Sequence, residues 1–506
     1  MNLLEVVPID WGTWLPLLEA TDYTIAAEVL LRGVAALYFV AFLGAFNQFP
    51  ALLGERGLSP APEFIERTSA SDAPSLFRWR FTPYSDRLLR AVSLIGMGLS
   101  LSVVIGIVQL GPAWTTIIVF LLLWWLYLSI VNIGQYYYGF GWESLLLEVG
   151  FIVAFLGTPG VAPPLLVLLF LRWTVFRVDF GAGMIKMRGD TSWRDFTAMN
   201  YHHQTQPMPN PLSRWAHQKP QWWHKAETLG SHVIQLVFPW LLFFPQPIAS
   251  IAACVIIFSQ LALVLTGNYA WLNWLTIVVT FCAISDSFWH WLAGGDWPEW
   301  GWNHVAAVGN GQVAAQSPVW WLVLTTAVVF FLCVLSWQPL ANLFSSRQLM
   351  NASFNRWHLV NAYGAFGSMT QTRRELIIEG TMSTDPSSET GWQAYEFKAK
   401  PGDVYRRAPQ VAPYHLRLDW TMWFLALGSG DALWFRRLLD KILDADPAIR
   451  RLLSTDPFHG QAPVLIRVRV FEYRYATALQ RRETGQWWSR TELGVLVPPY
   501  GGQGAT

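Results

Sequence analysis

Long apolar runs alternate with polar segments over the first two-thirds of the chain. The runs lie at about 25–48, 88–110, 113–133, 134–157, 164–180, 229–245, 248–267, 269–292 and 318–337. Several contain about 18 or more apolar residues, the length that a helix needs to cross a hydrocarbon core of roughly 30 Å. The pattern predicts about nine membrane-spanning helices, of which 134–157 and 229–245 are the most interrupted.

From about residue 345 the pattern changes. Strand-like runs appear at 375–381, 392–400 and 464–477, and a helix-patterned stretch lies between them at 415–443. Charged residues also become frequent in this part of the chain. Mixed strands and helices around one core are typical of an α+β domain. We therefore predict a polytopic α-helical transmembrane domain over residues 1–344 and a C-terminal α+β extramembrane domain over residues 345–506.

The composition agrees with a membrane protein. Hydrophobic residues make up 53% of the 506 residues and charged residues only 14%. Membrane lipids are therefore the expected surroundings of the apolar runs. The formal net charge is +1, so no basic excess is available to neutralise a phosphate backbone. A nucleic-acid partner is not expected.

The polar segment 181–228 is the most unusual part of the N-terminal two-thirds. Pro207, Pro209 and Pro211 remove backbone donors and restrict φ, which favours an extended course over the surface. Its tryptophans suit a membrane interface, with indole N–H groups toward water and rings toward lipid; they are Trp193, Trp215, Trp222 and Trp223. The segment is predicted to be an interfacial loop.

Several polar residues are candidates for chemistry, each with a simpler structural explanation. The spacings of His202, His203, His217 and His224 match no compact zinc pattern, so we expect surface histidines bonded to loop carbonyls and no metal site. Asp286 and His290 lie four residues apart on an apolar run, which favours a buried hydrogen-bonded pair over a metal or proton site. Glu143 and Glu148 are expected to cap a helix or to pair with a loop arginine.

Long strings of this sequence resemble the lipase maturation factor family. The main one runs from LRWTVFRVDFGAGMIKMRGDTSW through YHHQTQPMPNPLSRWAHQKPQWWH, over residues 171–224. GERGLSP (54–60), GFGWESLLLEVGFIVAFL (139–156), TGNYAWLNWLTIVVTFCAISDSFW (266–289) and two blocks at 354–381 and 392–428 are also similar to that family. The resemblance spans nearly the whole chain.

The resemblance implies a membrane-bound folding and assembly factor for secreted lipases, without a cofactor. The client would dock on the segment 181–228 and on the C-terminal domain. The candidate binding residues are Arg188, Asp190, Trp193, Tyr201, His202, His203, Asn210, Trp215, Asp286 and His290.

The identity of the membrane and the side on which the polar segments lie are separate questions. The chain lacks the extra cysteines expected in an oxidising lumen and ends GGQGAT without an ER-retrieval signal, so we expect a bacterial plasma membrane, or the endoplasmic reticulum membrane if the source is eukaryotic. The Lys and Arg content of the polar segments places them in the cytoplasm by the positive-inside rule. The family orientation places them on the exported side, which a lipase client favours.

A second resemblance leads to an enzymatic alternative. GAGMIKMRGDTSW (181–193) is similar to the AGxxKLxxxW pattern of vitamin K-dependent carboxylases and their bacterial relatives. That resemblance implies that Lys186 acts as a base on a lipid or quinone-like ligand, since a desolvated lysine can lose its proton near neutral pH. The simpler interpretation is a lysine that reaches the interface and pairs with Asp190 or Asp179.

Overall fold

The computed structural model describes residues 18–158, 161–296, 317–428 and 432–501. These residues form twenty α-helices and six strands, labelled here in chain order. The helices of the N-terminal part are α1 Thr24–Leu53, α2 Ala61–Arg67, α3 Asp86–Val104, α4 Trp114–Ile133, α5 Gly141–Val153, α6 Leu165–Arg188, α7 Thr191–Arg194, α8 Met199–Thr205, α9 Ser213–His217, α10 Gln221–Leu236, α11 Phe238–Leu241, α12 Ile248–Thr266, α13 Leu272–Thr280, α14 Asp286–Leu292, α15 Val319–Leu335 and α16 Trp337–Phe344.

The remaining elements follow residue 372. They are β1 Arg373–Thr381, β2 Gln393–Ala394, β3 Glu396–Phe397, α17 Arg417–Ala426, α18 Ala432–Leu443, α19 Pro447–Arg450, β4 Leu453–Thr455, β5 Leu465–Tyr475, α20 Ala478–Thr484 and β6 Trp488–Gly501. The predicted class, a polytopic helical protein with a C-terminal α+β region, is confirmed. The boundary at 344/345 stays a prediction.

Within the described residues, five helical segments are long and apolar enough to cross a membrane, and a bent pair would make six. The five are Thr21–Leu53, Asp86–Val104, Trp114–Ile133, Ile248–Thr266 and Val319–Phe344, and the pair joins Leu272–Ala283 to Asp286–Leu292 at 97°. The predicted number of nine is not confirmed. Nearly every residue of α5, which spans 13 residues, is buried by protein, so its apolar composition reflects an interior core instead of lipid contact.

Helix α1 lies at the centre of the membrane region and packs most extensively against α3. Gly96 of α3 lies against the Phe42 ring of α1, where an added Cβ would be 2.5 Å from the ring. Tyr38 and Phe42 in turn meet Tyr127 of α4 edge to face, at centroid separations of 5.9 and 5.3 Å. The small residue lets the helices approach closely, and the aromatic rings fill the core beside it.

Two buried ion pairs join α5 to other helices, one nearby in the sequence and one in the C-terminal region. Glu148 of α5 pairs with Arg177 of α6, and both side chains are at most 1% exposed. Glu143 of α5 pairs with Arg417 of α17 at 2.7 Å, where both side chains are fully buried. The expectation that these glutamates pair with arginines is correct, but neither arginine lies in a loop.

The C-terminal strands form an antiparallel sheet in the order β2-β1-β5-β6. Ile378 of β1 lies opposite Val468 of β5, and Leu376 lies opposite Val470. Alternation along β1 divides its side chains between two cores. Leu376 and Ile378 pack into the large core. Ile377 packs on the other face in a small cluster with Phe471, Tyr473, Tyr475 and Trp488. The sheet is therefore covered on both faces around β1.

The strand predictions at 375–381 and 464–477 agree with β1 and β5. The predicted strand at 392–400 is two short strands, β2 and β3, in different sheets. The helical stretch 415–443 forms α17 and α18, and residues 429–431 between them lie outside the described residues. Strand β6 was missed, because Gly494, Pro498 and Pro499 interrupt its pattern.

Candidate functional site

The segment 181–228 folds into the end of α6, the short helices α7, α8 and α9, and the start of α10. The prediction of an extended surface loop is therefore wrong. Pro207 and Pro209 are buried, because the stretch that they occupy lies between the membrane helices and the C-terminal domain. Asn268 donates to the carbonyl oxygens of Pro209 and Pro409, at 3.1 and 2.9 Å, and so joins this stretch to the C-terminal domain.

Lys186 is buried near the end of α6. Its Nζ donates to Ser231 Oγ at 3.1 Å and to Gln235 Oε1 at 3.0 Å, both on α10, and lies 4.3 Å from the centroid of the Trp193 ring. Lys186 was expected to pair with Asp190 or Asp179. It forms no hydrogen bond to either, although the Asp179 carboxylate lies near enough to interact with it electrostatically. Two polar side chains and an aromatic face hold Lys186 against α10.

Glycines allow this region of α6 to approach its neighbours. A Cβ on Gly181 would lie 2.5 Å from the carbonyl oxygen of Tyr363, and a Cβ on Gly183 would lie 2.7 Å from the Leu236 side chain. The first obstacle is backbone and cannot rotate away. The helix therefore needs glycine at 181 to meet the chain that leads into the C-terminal domain.

Gly181→Ala is expected to destabilise the protein by about 1–3 kcal/mol, because the new methyl group must push residue 363 away. The matched control is Gly230→Ala on α10, where nothing lies within 4 Å of the added Cβ. Alanine there should be neutral or stabilising by up to about 1 kcal/mol, through helix propensity. Thermal unfolding of the purified protein in detergent compares the two. Equal melting temperatures would contradict the close approach at residue 181.

Arg188 and Asp190 attach the end of α6 to the chain entering the C-terminal domain. Arg188 Nη1 donates to the Leu343 carbonyl and to Gln348 Oε1, both at 2.7 Å. Asp190 Oδ1 accepts from the Ser192 N–H at 2.8 Å, and Oδ2 accepts from the Met369 N–H at 3.0 Å. These backbone hydrogen bonds lower the pKa of the Asp190 carboxyl.

Trp193 is 2% exposed, so its predicted place in an interfacial belt is wrong. Its Nε1 donates to the Phe366 carbonyl at 2.8 Å, and its own carbonyl faces His232 Nε2 at 3.0 Å. Tyr201 is half-buried and packs against the small buried cluster formed by Trp193, Ala198, Met199 and Met369. By contrast, Trp215 and Trp222 are exposed. The tryptophans thus divide between an internal anchor and an accessible surface.

His202 and Asn210 hold the segment to the membrane helices. His202 Nε2 lies 2.9 Å from the Tyr269 hydroxyl, and burial is the main cause that lowers the pKa of this histidine to about 3. Asn210 Oδ1 accepts from the N–H groups of Leu212 and Ser213, both at 3.0 Å. Its Nδ2 donates to the Val264 carbonyl at 3.2 Å. Asn210 thus holds backbone groups in place, and His202 holds the Tyr269 side chain. Both residues are buried.

His203, His224 and Glu227 come together between α8 and α10. Both histidines are buried, so the expectation of surface histidines is wrong for them. Glu227 Oε2 lies 3.5 Å from His203 Nε2 and 3.0 Å from His224 Nδ1. Burial raises the pKa of the Glu227 carboxyl, but interactions with the two imidazoles outweigh burial and lower it to about 2. Glu227 was missed because its partner His203 lies 24 positions earlier in the sequence.

Asp286 and His290 do not form the expected pair. Asp286 accepts from the Thr24 N–H at 2.8 Å and from the Ile25 N–H at 3.0 Å, so it caps the first turn of α1. His290 is exposed on α14. Lys186 is held by α10 instead. Lys186, Asp286 and His290 therefore face different neighbours, and the described structure does not bring them into one site that could support the enzymatic alternative.

Arg373 is a residue of this region that the sequence did not reveal. It lies at the start of β1, is 2% exposed, and donates to the carbonyl oxygens of Gln204, Gln206 and Pro207 at 2.9, 2.5 and 3.0 Å. Its guanidinium also pairs with Glu375 at 2.6 Å. Arg373 thus fastens the C-terminal sheet to the middle of the segment 181–228.

Apolar spans, an internal polar segment and a covered C-terminal sheet define an integral membrane protein with an extramembrane α+β region. The chain belongs to the lipase maturation factor family. The family profile described as the lipase maturation factor transmembrane domain matches residues 25–291, and the one described as its C-terminal domain matches residues 359–498.

Vertebrate relatives match over almost the full length. Lipase maturation factor 1 of Bos taurus is 36% identical over 518 residues, covering 96% of this chain and 91% of the relative. Lipase maturation factor 1 of Homo sapiens is 37% identical over 509 residues, covering 95% and 89%. Lipase maturation factor 2 of Homo sapiens is 27% identical over 591 residues, covering 93% and 82%. No solved structure matches the chain.

Proposed function

We propose that the chain is a membrane-embedded folding and assembly factor for exported lipase-like client proteins. Relatives that match more than nine-tenths of the chain carry the name lipase maturation factor. The proposed client contacts lie on the C-terminal sheet and on the exposed part of the segment 181–228. Membrane lipids surround the spans, and the C-terminal domain, proposed to begin near residue 345, faces the exported side.

The observation that carries this proposal is the outer edge of the C-terminal sheet. β6 pairs with β5 along one side and is the last strand in the sheet order of the described residues. Leu493, Val495 and Leu496 on this strand are each 50–53% exposed. Open edge strands present unpaired N–H and C=O groups, to which an extended segment of another chain can add as a further strand.

Pro498 and Pro499 limit that edge. A proline cannot donate a backbone hydrogen bond, so the end of β6 resists strand addition. The accessible part is therefore the half of β6 that carries the three exposed apolar side chains. A short docking edge suits transient contact with a folding client, because a long open edge would promote self-association.

A groove beside the sheet provides a second proposed contact. It has a volume of about 460 Å³ and is lined by residues of the segment 181–228 and of the C-terminal domain, among them Trp215, Arg407 and Trp487. Trp215 is 56% exposed, and Lys219 Nζ lies 3.5 Å from the centroid of its ring. An aromatic and cationic groove of this kind suits an extended peptide. Among the candidate binding residues of the segment 181–228, Trp215 has the exposure that client contact requires.

The proposed location is the bacterial plasma membrane. Arginine greatly outnumbers lysine in the chain, which is typical of a GC-rich bacterial genome. The described cysteines, Cys254, Cys282 and Cys333, are all free, as expected for a protein that needs no disulfides on the exported side. The client contacts proposed above involve no thiol chemistry.

Val495→Lys combined with Leu493→Lys should reduce the yield of active exported lipase severalfold, because two desolvated ammonium groups oppose strand addition at the β6 edge. The measurement is lipase activity secreted by cells in which this chain replaces their own maturation factor. Leu479→Lys is the matched control, since Leu479 is 65% exposed on the separate helix α20. Undiminished secretion by the β6 variant, at an equal protein level, would refute the role of this edge.

A further inference from the structure

We propose that His203, His224 and Glu227 bind one zinc-type divalent metal ion, which ties α8 to α10. Each residue offers one ligand atom, and these atoms all lie within 4.8 Å of one another. Glu227 Oε2 is 3.5 Å from His203 Nε2 and 3.0 Å from His224 Nδ1. Zinc binds imidazole nitrogen and carboxylate oxygen at about 2.0–2.2 Å, so tetrahedral ligand atoms lie roughly 3.3 Å apart. The two separations from Glu227, 3.0 and 3.5 Å, therefore suit coordination of a single ion.

The hydrogen bond on the far side of His224 determines which nitrogen faces the cluster. His224 Nε2 lies 3.2 Å from the His217 carbonyl oxygen, which can only accept a hydrogen bond. Nε2 therefore carries a proton, and in the neutral imidazole Nδ1 has a lone pair. That lone pair faces the Glu227 carboxylate at 3.0 Å. Two acceptors at this distance require a proton or a cation between them.

The same arrangement is typical of metal-binding histidines. Such a histidine usually donates its second ring N–H to a backbone carbonyl or carboxylate, which orients the ring toward the ion. The His217 carbonyl does this for His224. The backbone of α9 thus supplies an outer contact of the kind that a metal site needs.

His203 is the second independent observation. Its side chain is 2% exposed, and neither ring nitrogen has a hydrogen-bond partner among the described residues. An unsatisfied buried imidazole costs free energy, since it gives up its hydrogen bonds to water. A metal bond from Nε2 would satisfy the nitrogen that points toward Glu227.

The ligand set specifies the class of ion. Two neutral imidazoles and one carboxylate suit zinc and neighbouring first-row divalent ions better than calcium or magnesium, which prefer oxygen ligands. Three protein ligands leave a fourth position for water. The Glu227 side chain is 25% exposed, which leaves a route for the ion and that water.

The ion would close the stretch between residues 203 and 224, which contains the buried prolines. His203 also contacts the C-terminal sheet through its backbone, since its carbonyl accepts from the Tyr475 hydroxyl at 3.3 Å. Metal binding at this point would therefore stabilise both the fold of the segment 181–228 and its attachment to β5.

The test is metal binding by the purified full-length protein in detergent. After treatment with a chelator and dialysis against Zn²⁺, wild-type protein should retain one zinc ion per chain and melt at a higher temperature than the metal-free form. His224→Ala and Glu227→Gln should each weaken zinc binding on the order of tenfold or more. His459→Ala, at an exposed histidine outside the candidate binding residues, should bind zinc as the wild type does.

Cobalt gives a readout that needs no variant. Co²⁺ in the wild-type protein should show the visible d–d absorption of a tetrahedral site without a thiolate charge-transfer band, because the ligands are nitrogen and oxygen. Failure of the wild type to retain zinc, or binding by both ligand variants equal to that of the wild type, would overturn the proposal. If the ligand variants do not fold, a thiolate band or the absence of a tetrahedral spectrum in the wild type overturns it.

Discussion

Glu148→Gln is expected to destabilise the protein by about 3–5 kcal/mol, because it leaves the Arg177 guanidinium buried without a counter-charge. Both side chains are at most 1% exposed. The Glu148 carboxylate also accepts from the Asn361 N–H and from the Tyr363 hydroxyl, both at 2.8 Å. Glutamine keeps the shape of the side chain but removes the charge that these donors and the arginine share. The measurement is thermal unfolding in detergent, together with the amount of folded protein recovered from membranes.

The control for this variant is Glu63→Gln on α2. Glu63 pairs with two arginines, Arg67 and Arg437, but each at 3.7 Å and with all three side chains at least 36% exposed. Exposed pairs contribute less than about 1 kcal/mol, since water already screens both charges. A Glu148→Gln protein that unfolds at the same temperature as Glu63→Gln would show that the interior pair is not needed to hold residues 361–363 on α5.

Arg373→Ala is expected to cost about 3–5 kcal/mol and to release the segment 181–228 from the C-terminal sheet. The substitution removes the donor for three backbone carbonyls and one of the two cations next to Glu375, whose other partner is Lys400 at 3.0 Å. Both changes lower the free energy of unfolding, because buried carbonyls lose their donor and the Glu375 carboxylate loses part of its counter-charge. Unfolding in detergent measures the loss, and faster proteolysis near residues 206–213 would report the release.

Arg374→Ala provides the control from the adjacent position. Arg374 lies on the same strand and points to the opposite face from Arg373, but it is exposed at the start of the strand. Its removal should change stability by less than about 0.5 kcal/mol, as is usual for surface substitutions. If the two alanine variants behave alike, Arg373 does not fasten the sheet to the segment. Lipase maturation should fall in parallel with stability only for Arg373→Ala.

Much of the architecture could be predicted from local pattern. Runs of about 20 apolar residues indicated membrane helices, because the bilayer imposes a length that is visible in the sequence. Alternation in 375–381 and in 464–477 indicated β1 and β5, because one residue in two faces the large core. The resemblance to the family rested on the strings within residues 171–224, and the family profiles confirmed it.

Local pattern was misleading where the environment of a residue comes from distant parts of the chain. Polar, proline-rich stretches are usually at the surface, so the pattern of residues 181–228 predicts a surface loop. The stretch around Pro207 and Pro209 is buried, because Arg373 and Asn268 donate to the backbone carbonyls there. The apolar run at 134–157 predicts a membrane span, but α5 within it is buried by protein. The prediction fails because an interior helix and a lipid-facing helix have similar compositions.

By itself, the sequence determined the class of this protein, the C-terminal change to strands and the family. These properties depend on composition, periodicity and contiguous strings, all of which are local. The tertiary structure decided that Lys186 meets α10, that Asp286 caps α1, and that His203 lies beside His224 and Glu227. The physical reason is that hydrogen bonds and coordination act over about 2–3.5 Å in space, whatever the separation of the partners along the chain.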